Sequence, residues 1–200
     1  MTPTVDVCNL ALSHIGQAAT ISAVDPPEGS VYAQLCANMY PLAMGALLEF
    51  HPWGFATLTE ALAPLAETRP GWASVFAEPV ACLRIWHLSE AADGPPVDYE
   101  RQAGAVSPTV ICTHAATAFA RYTRSAPMPQ VLPPLFRLAL SYWLASMIAG
   151  PIIKGDTGAG TAKALLQVAL AQAGKAAEAD ANQGRQTAPA HVPAWIAGRA

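Results

Sequence analysis

Residues 132–151 read Leu132-Pro-Pro-Leu-Phe-Arg-Leu-Ala-Leu-Ser-Tyr-Trp-Leu-Ala-Ser-Met-Ile-Ala-Gly-Pro151. Pro133 and Pro134 suit a helix start, where a missing N–H costs nothing and φ is already near the helical value. From Leu135 to Ala149 the run is apolar nearly all round, with Arg137 its one charge. Such a helix has to be covered on every side, so the pattern predicts a central helix over 133–149 with the rest of the chain packed around it. Gly150-Pro151 predicts its end. The wider stretch Leu138–Ile153 is broken by Ser141, Ser146, Gly150 and Pro151. It falls short of the ~20 apolar residues a bilayer span needs, and is read as buried in protein.

Three further helices are predicted around this one. Thr2-Pro3 reads as an N-cap followed by proline at the first helical position. Val5, Cys8, Leu12 and Ile15 then fall on one stripe. Gly16 is suited to end this helix, which gives 3–16. A second helix over 28–50 follows the turn Asp25-Pro26-Pro27, with Val31, Leu35, Met39, Leu42 and Ala46 as its core stripe and Pro41 as a kink. A fourth, Ala-rich helix is expected over 161–181. Residues 55–125 differ in character. Short runs at Ala56–Leu62, Cys82–Leu88, Val97–Gln102, Thr109–Thr113 and Ala118–Thr123 are separated by Pro, Gly and Asp. They predict a small antiparallel β insertion, with Leu83, Ile85 and His87 on one face of its strand and Arg84 and Trp86 on the other. The expected fold is therefore mainly α, a bundle of about four helices with a small β insertion. It forms one domain over 1–181, followed by an extended tail over 182–200.

The chain has 200 residues, of which 52% are hydrophobic and only 12% charged. That is about half the usual ~25% charged. So little charge fits either an ordinary alanine-rich domain or a subunit whose surface is partly covered by partners. The charge is also uneven. No Lys or Arg precedes Arg69, so residues 1–68 carry a net −6 and the remainder a net +3. No basic stripe with interleaved aromatics is present, which argues against a nucleic-acid grip. The start, MTPTVDVCNL, has neither a basic region nor an unbroken apolar one, which predicts no secretory signal. Cys8, Cys36, Cys82 and Cys112 are scattered and read as buried free thiols.

Motifs of chemistry are missing. Gly155-Asp-Thr-Gly-Ala-Gly160-Thr-Ala-Lys163 looks like a phosphate loop, but Thr161 and Ala162 stand between the last glycine and the lysine. A phosphate loop needs the lysine directly after the glycine, and it follows a strand, not a helix. The stretch is read as a helix–helix loop. His14, His51, His87, His114 and His191 show no metal-ligand spacing, and no HExxH or GxSxG occurs. The expectation is no catalytic, cofactor or metal site, although an enzyme site assembled from distant residues stays open. In the tail, Pro193, Trp195 and Ile196 stand out, since a large aromatic rarely stays solvated in a polar segment; they read either as packed on their own domain or, preferably, as an anchor for a partner.

Three ordered stretches carry a family resemblance. They are Val7-Cys-Asn-Leu-Ala-Leu-Ser-His-Ile-Gly16, Leu47-Leu-Glu-Phe-His-Pro-Trp-Gly-Phe-Ala56, and Phe119-Ala-Arg-Tyr122 followed by the run from Leu132 to Ala149. Together they resemble the tail tubular protein A family of short-tailed phages and related head-to-tail adaptor (connector) proteins, over residues 4–181. The resemblance implies a ring of twelve copies beneath the portal protein, at the head–tail junction of a virion assembled in the host cytoplasm. Such a ring extends the DNA channel and docks the next tail protein. DNA passes through without specific binding, and no membrane is involved. Trp53 and Phe55 would anchor the turn after the long helix, and the tail with Pro193, Trp195 and Ile196 would reach the portal. A lumen that passes DNA should not be basic, because phosphate contacts would slow passage. Asp25, Glu28 and Glu49 are therefore candidate channel-facing acids. A non-viral helical protein-binding module is the alternative reading, and an enzyme with a dispersed site a further one.

Overall fold

The structure is a computed structural model and describes residues 3–18, 20–104, 108–125 and 132–183. Along the chain run α1 (Pro3–His14), α2 (Val31–Phe50), β1 (Thr57–Ala61), β2 (Ser74–Ala77), β3 (Cys82–Ser89), β4 (Pro96–Val97), β5 (Tyr99–Ala103), β6 (Thr109–Thr113), β7 (Phe119–Arg124), α3 (Pro134–Ile153) and α4 (Gly155–Asn182). Helices take 47% of the described residues and strands 22%. The expectation of a mainly α bundle with a small β insertion is therefore wrong, and the chain has a mixed α and β fold.

The β region outgrew its prediction for a physical reason. The strands form two antiparallel sheets, ordered β1-β7-β3-β4 and β2-β6-β5. Each sheet has an apolar face to bury, and each uses the other for it. Phe76 and Ile111 of one sheet and Ile85, Leu88, Ala120 and Tyr122 of the other form one buried cluster. The outer face of the three-stranded sheet is also covered, since Val75, Val110 and Cys112 pack under Leu65 and Trp72. β6, buried on both faces over Val110–Thr113, accordingly shows no alternation. β2 was missed because four residues are too few to display a period. The chain crosses between sheets just after β1, where Leu62 N–H donates to Ala118 O at 2.8 Å and Leu65 N–H to Val75 O at 2.8 Å.

β3 corrects a second expectation. Its register against β7 shifts between Cys82 and Arg84 and again between Ile85 and His87. Bulges of this kind re-aim side chains. Leu83 consequently packs on the helical core, while Ile85 and Leu88, rather than His87, enter the sheet core.

In the helical unit α3 is the hub, with buried positions from Phe136 to Ala149 pointing all round the helix. It is the one described helix long and apolar enough to cross a membrane, and α1, α2 and α4 all pack on it. Its end differs from prediction. α3 runs through Pro151 to Ile153, losing one backbone donor but closing its last turn with Lys154 N–H on Gly150 O at 2.9 Å. The glycine-rich stretch expected as a loop is the start of α4, and the link between the two helices is Lys154 alone, at φ 61°. Small residues there allow close packing: a Cβ at Gly158 would lie 3.3 Å from Gly150 O.

α2 begins later than expected because Ser30 caps it, its Oγ accepting from Ala33 N–H at 3.1 Å. α1 ends at a left-handed Gly16 with Gln17 N–H on Leu12 O at 3.0 Å, a Schellman closure. All four cysteines are free. Cys8 and Cys36 are fully buried between α1 and α2. Their mutual hydrogen bond, and then burial, push the Cys8 thiol far above its ordinary range.

α1 is locked to α3 by one polar contact. Ser141 Oγ–H donates to Leu138 O at 2.8 Å, so its oxygen accepts from Nε2–H of His14 at 3.0 Å. The His14 ring also stacks on Tyr142 at 3.8 Å. Burial holds the His14 pKa below its ordinary 6.5. The unfolded chain therefore binds this proton more readily. The contribution of His14 is at its fullest above pH 6.5 and declines as the pH falls through the window just beneath that value. Urea unfolding between about pH 7.5 and about pH 5.5 should show this loss, and His14→Gln, which keeps a donor for Ser141, should reduce it. Equal pH slopes in the two proteins would refute the assignment.

Candidate functional site

The two units meet at residues 51–56, directly after α2. Trp53 closes this turn by accepting at its carbonyl from Ala56 N–H (3.0 Å) and Thr57 N–H (2.8 Å). Its ring is 1% exposed, its Nε1–H donates to Leu47 O at 2.8 Å, and it meets Phe136 of α3 edge-on at 4.9 Å. Phe55 is half-buried and packs on the same Phe136 at 4.9 Å. The two aromatics thus clamp the start of the β unit onto the hub helix.

A second clamp comes from Asp180, which the sequence reading passed over. Both its carboxylate oxygens accept from Gly54 N–H, at 2.9 and 3.2 Å, and His51 Nε2 lies 3.3 Å away. An acid in the last turn of a helix opposes the helix dipole. Its presence at the end of α4 is explained by these partners, and that mismatch was the available signal. Arg84 of β3 forms a third tie. It donates to Glu49 O near the end of α2 at 2.7 Å, while its guanidinium lies 4.2 Å from the Trp86 ring.

Two adjoining grooves of about 550 and 470 Å³ follow this seam and share Gly54 and Arg121. His51, Asp180 and His87 add to their polar lining. His51 and Asp180, together with the Gly54 N–H, tie the end of α4 to the turn after α2. Among the described residues no group of three or more His, Cys, Asp and Glu side chains could hold a metal ion.

The three candidate acids are all exposed but are not brought together. Glu28 accepts from Ser22 N–H at 2.8 Å and from Ser30 Oγ–H at 3.1 Å in the turn before α2, and the Ser22 hydrogen bonds hold its pKa below the ordinary carboxylate range. Asp25 lies in the same turn, at the cis Asp25–Pro26 bond. Glu49 is at the other end of the 20-residue α2, roughly 30 Å away. Pro193, Trp195 and Ile196 lie outside the described residues.

The structure turns α2 away from its expected face only in part: Leu35 and Met39 of the expected stripe are partly buried against the core, but its centre lies elsewhere. Val31 and Leu42 are 74% and 60% exposed, and the deeply buried positions are Ala33, Cys36, Ala43, Leu47 and Leu48. α2 holds one charged residue in 20, so its period could not distinguish core from surface. Ala33, Cys36 and Ala43 allow close approach along the helix, and Leu47 and Leu48 fill the space at its C-terminal end. The exposed side of α4 likewise carries Leu166, Val168 and Leu170. No family model matches the sequence, and no curated protein matches it.

Trp53→Ala should cost about 3–5 kcal/mol of unfolding free energy, with Phe55→Ala costing clearly less because its ring is half-buried. Denaturant titration of both variants measures this, and equal costs would show that the two rings are not unequal anchors.

Proposed function

We propose that the chain is a structural head-to-tail adaptor, a ring-forming subunit that joins a portal protein to the next tail protein around a DNA channel. The observation that carries this reading is the surface of the helical unit. A domain of this size has enough core to fold alone, yet α2 and α4 leave Val31, Leu42, Phe50, Leu166 and Leu170 exposed. Apolar helix faces of this kind are contact surfaces for other proteins. A ring subunit needs two of them, because a closed heterologous ring uses a different patch on each flank.

The ordered stretches around Gly16, Trp53 and Pro133 add the resemblance to adaptor proteins. In the structure these stretches are the C-terminus of α1, the joint between the two units and the start of the hub helix. The acidic start of the chain suits a lumen that must not hold DNA, with some of Asp25, Glu28 and Glu49 turned toward the channel. In this reading the polar joint at Gly54 is structural and the protein acts by recognition, without catalysis.

The tail supplies the test. Replacing Trp195 and Ile196 together by alanine should leave the unfolding transition unchanged and weaken binding to the portal protein of the same particle. Titration of the variant and the wild type against isolated portal rings measures this. Wild-type affinity in the variant would remove the tail from the docking surface, and no binding by either protein would sink the adaptor reading.

A further inference from the structure

The exposed faces of α2 and α4 are matched in spacing and charge. On α2, Leu42, Ala46 and Glu49 fall on one face, with Leu42 and Glu49 exposed and Ala46 half-buried. On α4, Lys163, Leu166 and Leu170 fall on one exposed face. Both rows span seven residues, or two helical turns, with steps of three and four. The charge lies at the C-terminal end of the α2 row and the N-terminal end of the α4 row. Antiparallel alignment therefore brings Glu49 opposite Lys163, Ala46 opposite Leu166 and Leu42 opposite Leu170. A small residue meets a large one in the middle, and opposite charges close the end.

Within one copy these rows do not meet. Both helices pack extensively on α3, with no comparable packing between the two of them among the described residues, and α3 has buried positions on most sides. The complementary rows are two different patches on different flanks of the same molecule, so a second copy is the occupant that fits. We infer that α2 of one copy packs antiparallel on α4 of its neighbour in the register Glu49–Lys163, Ala46–Leu166, Leu42–Leu170. This rests on the ring reading and names the contact that builds the ring. It also takes Glu49 out of the channel-facing set and leaves Asp25 and Glu28 in it. Charge complementarity also favours this pairing over α2 on α2, which would set Glu49 of one copy against a helix with no basic residue.

The test uses full-length chains. Leu42→Cys and Leu170→Cys proteins, mixed under mild oxidation, should give a disulfide-linked dimer containing one of each. Each variant alone should stay at the wild-type level, since the introduced thiol then faces a leucine. In parallel, Glu49→Lys should lower ring yield by about tenfold, and Glu49→Lys with Lys163→Glu should restore most of it. Leu42→Cys cross-linking to itself, or rings that form without the mixed cross-link, would overturn the helix pairing and leave the ring reading standing. No cross-link, together with no assembly of the wild-type chain either alone or on portal rings, would overturn both.

Discussion

The need to cover α3 shapes the molecule. A helix with Phe136, Leu140, Leu144 and Ile148 on one set of faces and Ala139, Ala145 and Ala149 on the others has no side to offer to water. α1, α2 and α4 are placed where they are because each covers part of it. The covering helices contribute small side chains: Ala33, Cys36 and Ala43 from α2, and Ala169, Ala173 and Ala176 from α4. Small contacts bring helix axes close, and close axes protect the hub with few residues. Of the larger apolar side chains, Leu47 and Leu48 of α2 still go inward, while Leu42 of α2 and Leu166 and Leu170 of α4 stay outside. Covering α3 and exposing leucines on α2 and α4 are thus two results of one packing solution.

The β unit is attached to this bundle through a short, heavily tied joint. Trp53 fills the gap between the end of α2 and the start of α3, and Arg84 holds the Glu49 carbonyl of α2 from the sheet side. Buried apolar contact and hydrogen bonding act together there. The indole supplies area, and the guanidinium satisfies a helix end that would otherwise lack a partner. The sheets themselves need little from the helices, because their shared cluster around Ile85, Ile111 and Tyr122 is separate from the helical core.

Much of this was legible in the sequence where a residue acts on its own backbone. Gly16 ends α1, Pro134 opens α3, and the five short runs between residues 55 and 125 all fall on or across strands. The illegible parts depended on what lies opposite. α2 carries few polar residues, chiefly Gln34, Asn38 and Glu49, and the placement of α3 decides which of its remaining apolar faces is buried. The glycine-rich start of α4 has low helix propensity and is helical because Gly158 can approach Gly150. Strand pairing into two sheets instead of one is set by contacts such as Leu65 to Val75, which no short window displays. Of the site residues, Trp53 and Phe55 announced themselves by type. Asp180 acts through a backbone N–H 126 positions away and carries no local pattern beyond an acid at an unfavourable helix end.

Asp180 also determines how force would travel. It lies three residues before Gln183, the last described position, and it grips the backbone of Gly54 at the seam. A pull applied to the chain beyond Gln183 would reach the Gly54 turn before it could unwind α4 along its length. The end of α4 is therefore tied to both units at once, through the one Gly54 N–H that the two carboxylate oxygens share, and tension there would load that joint before the rest of the helix.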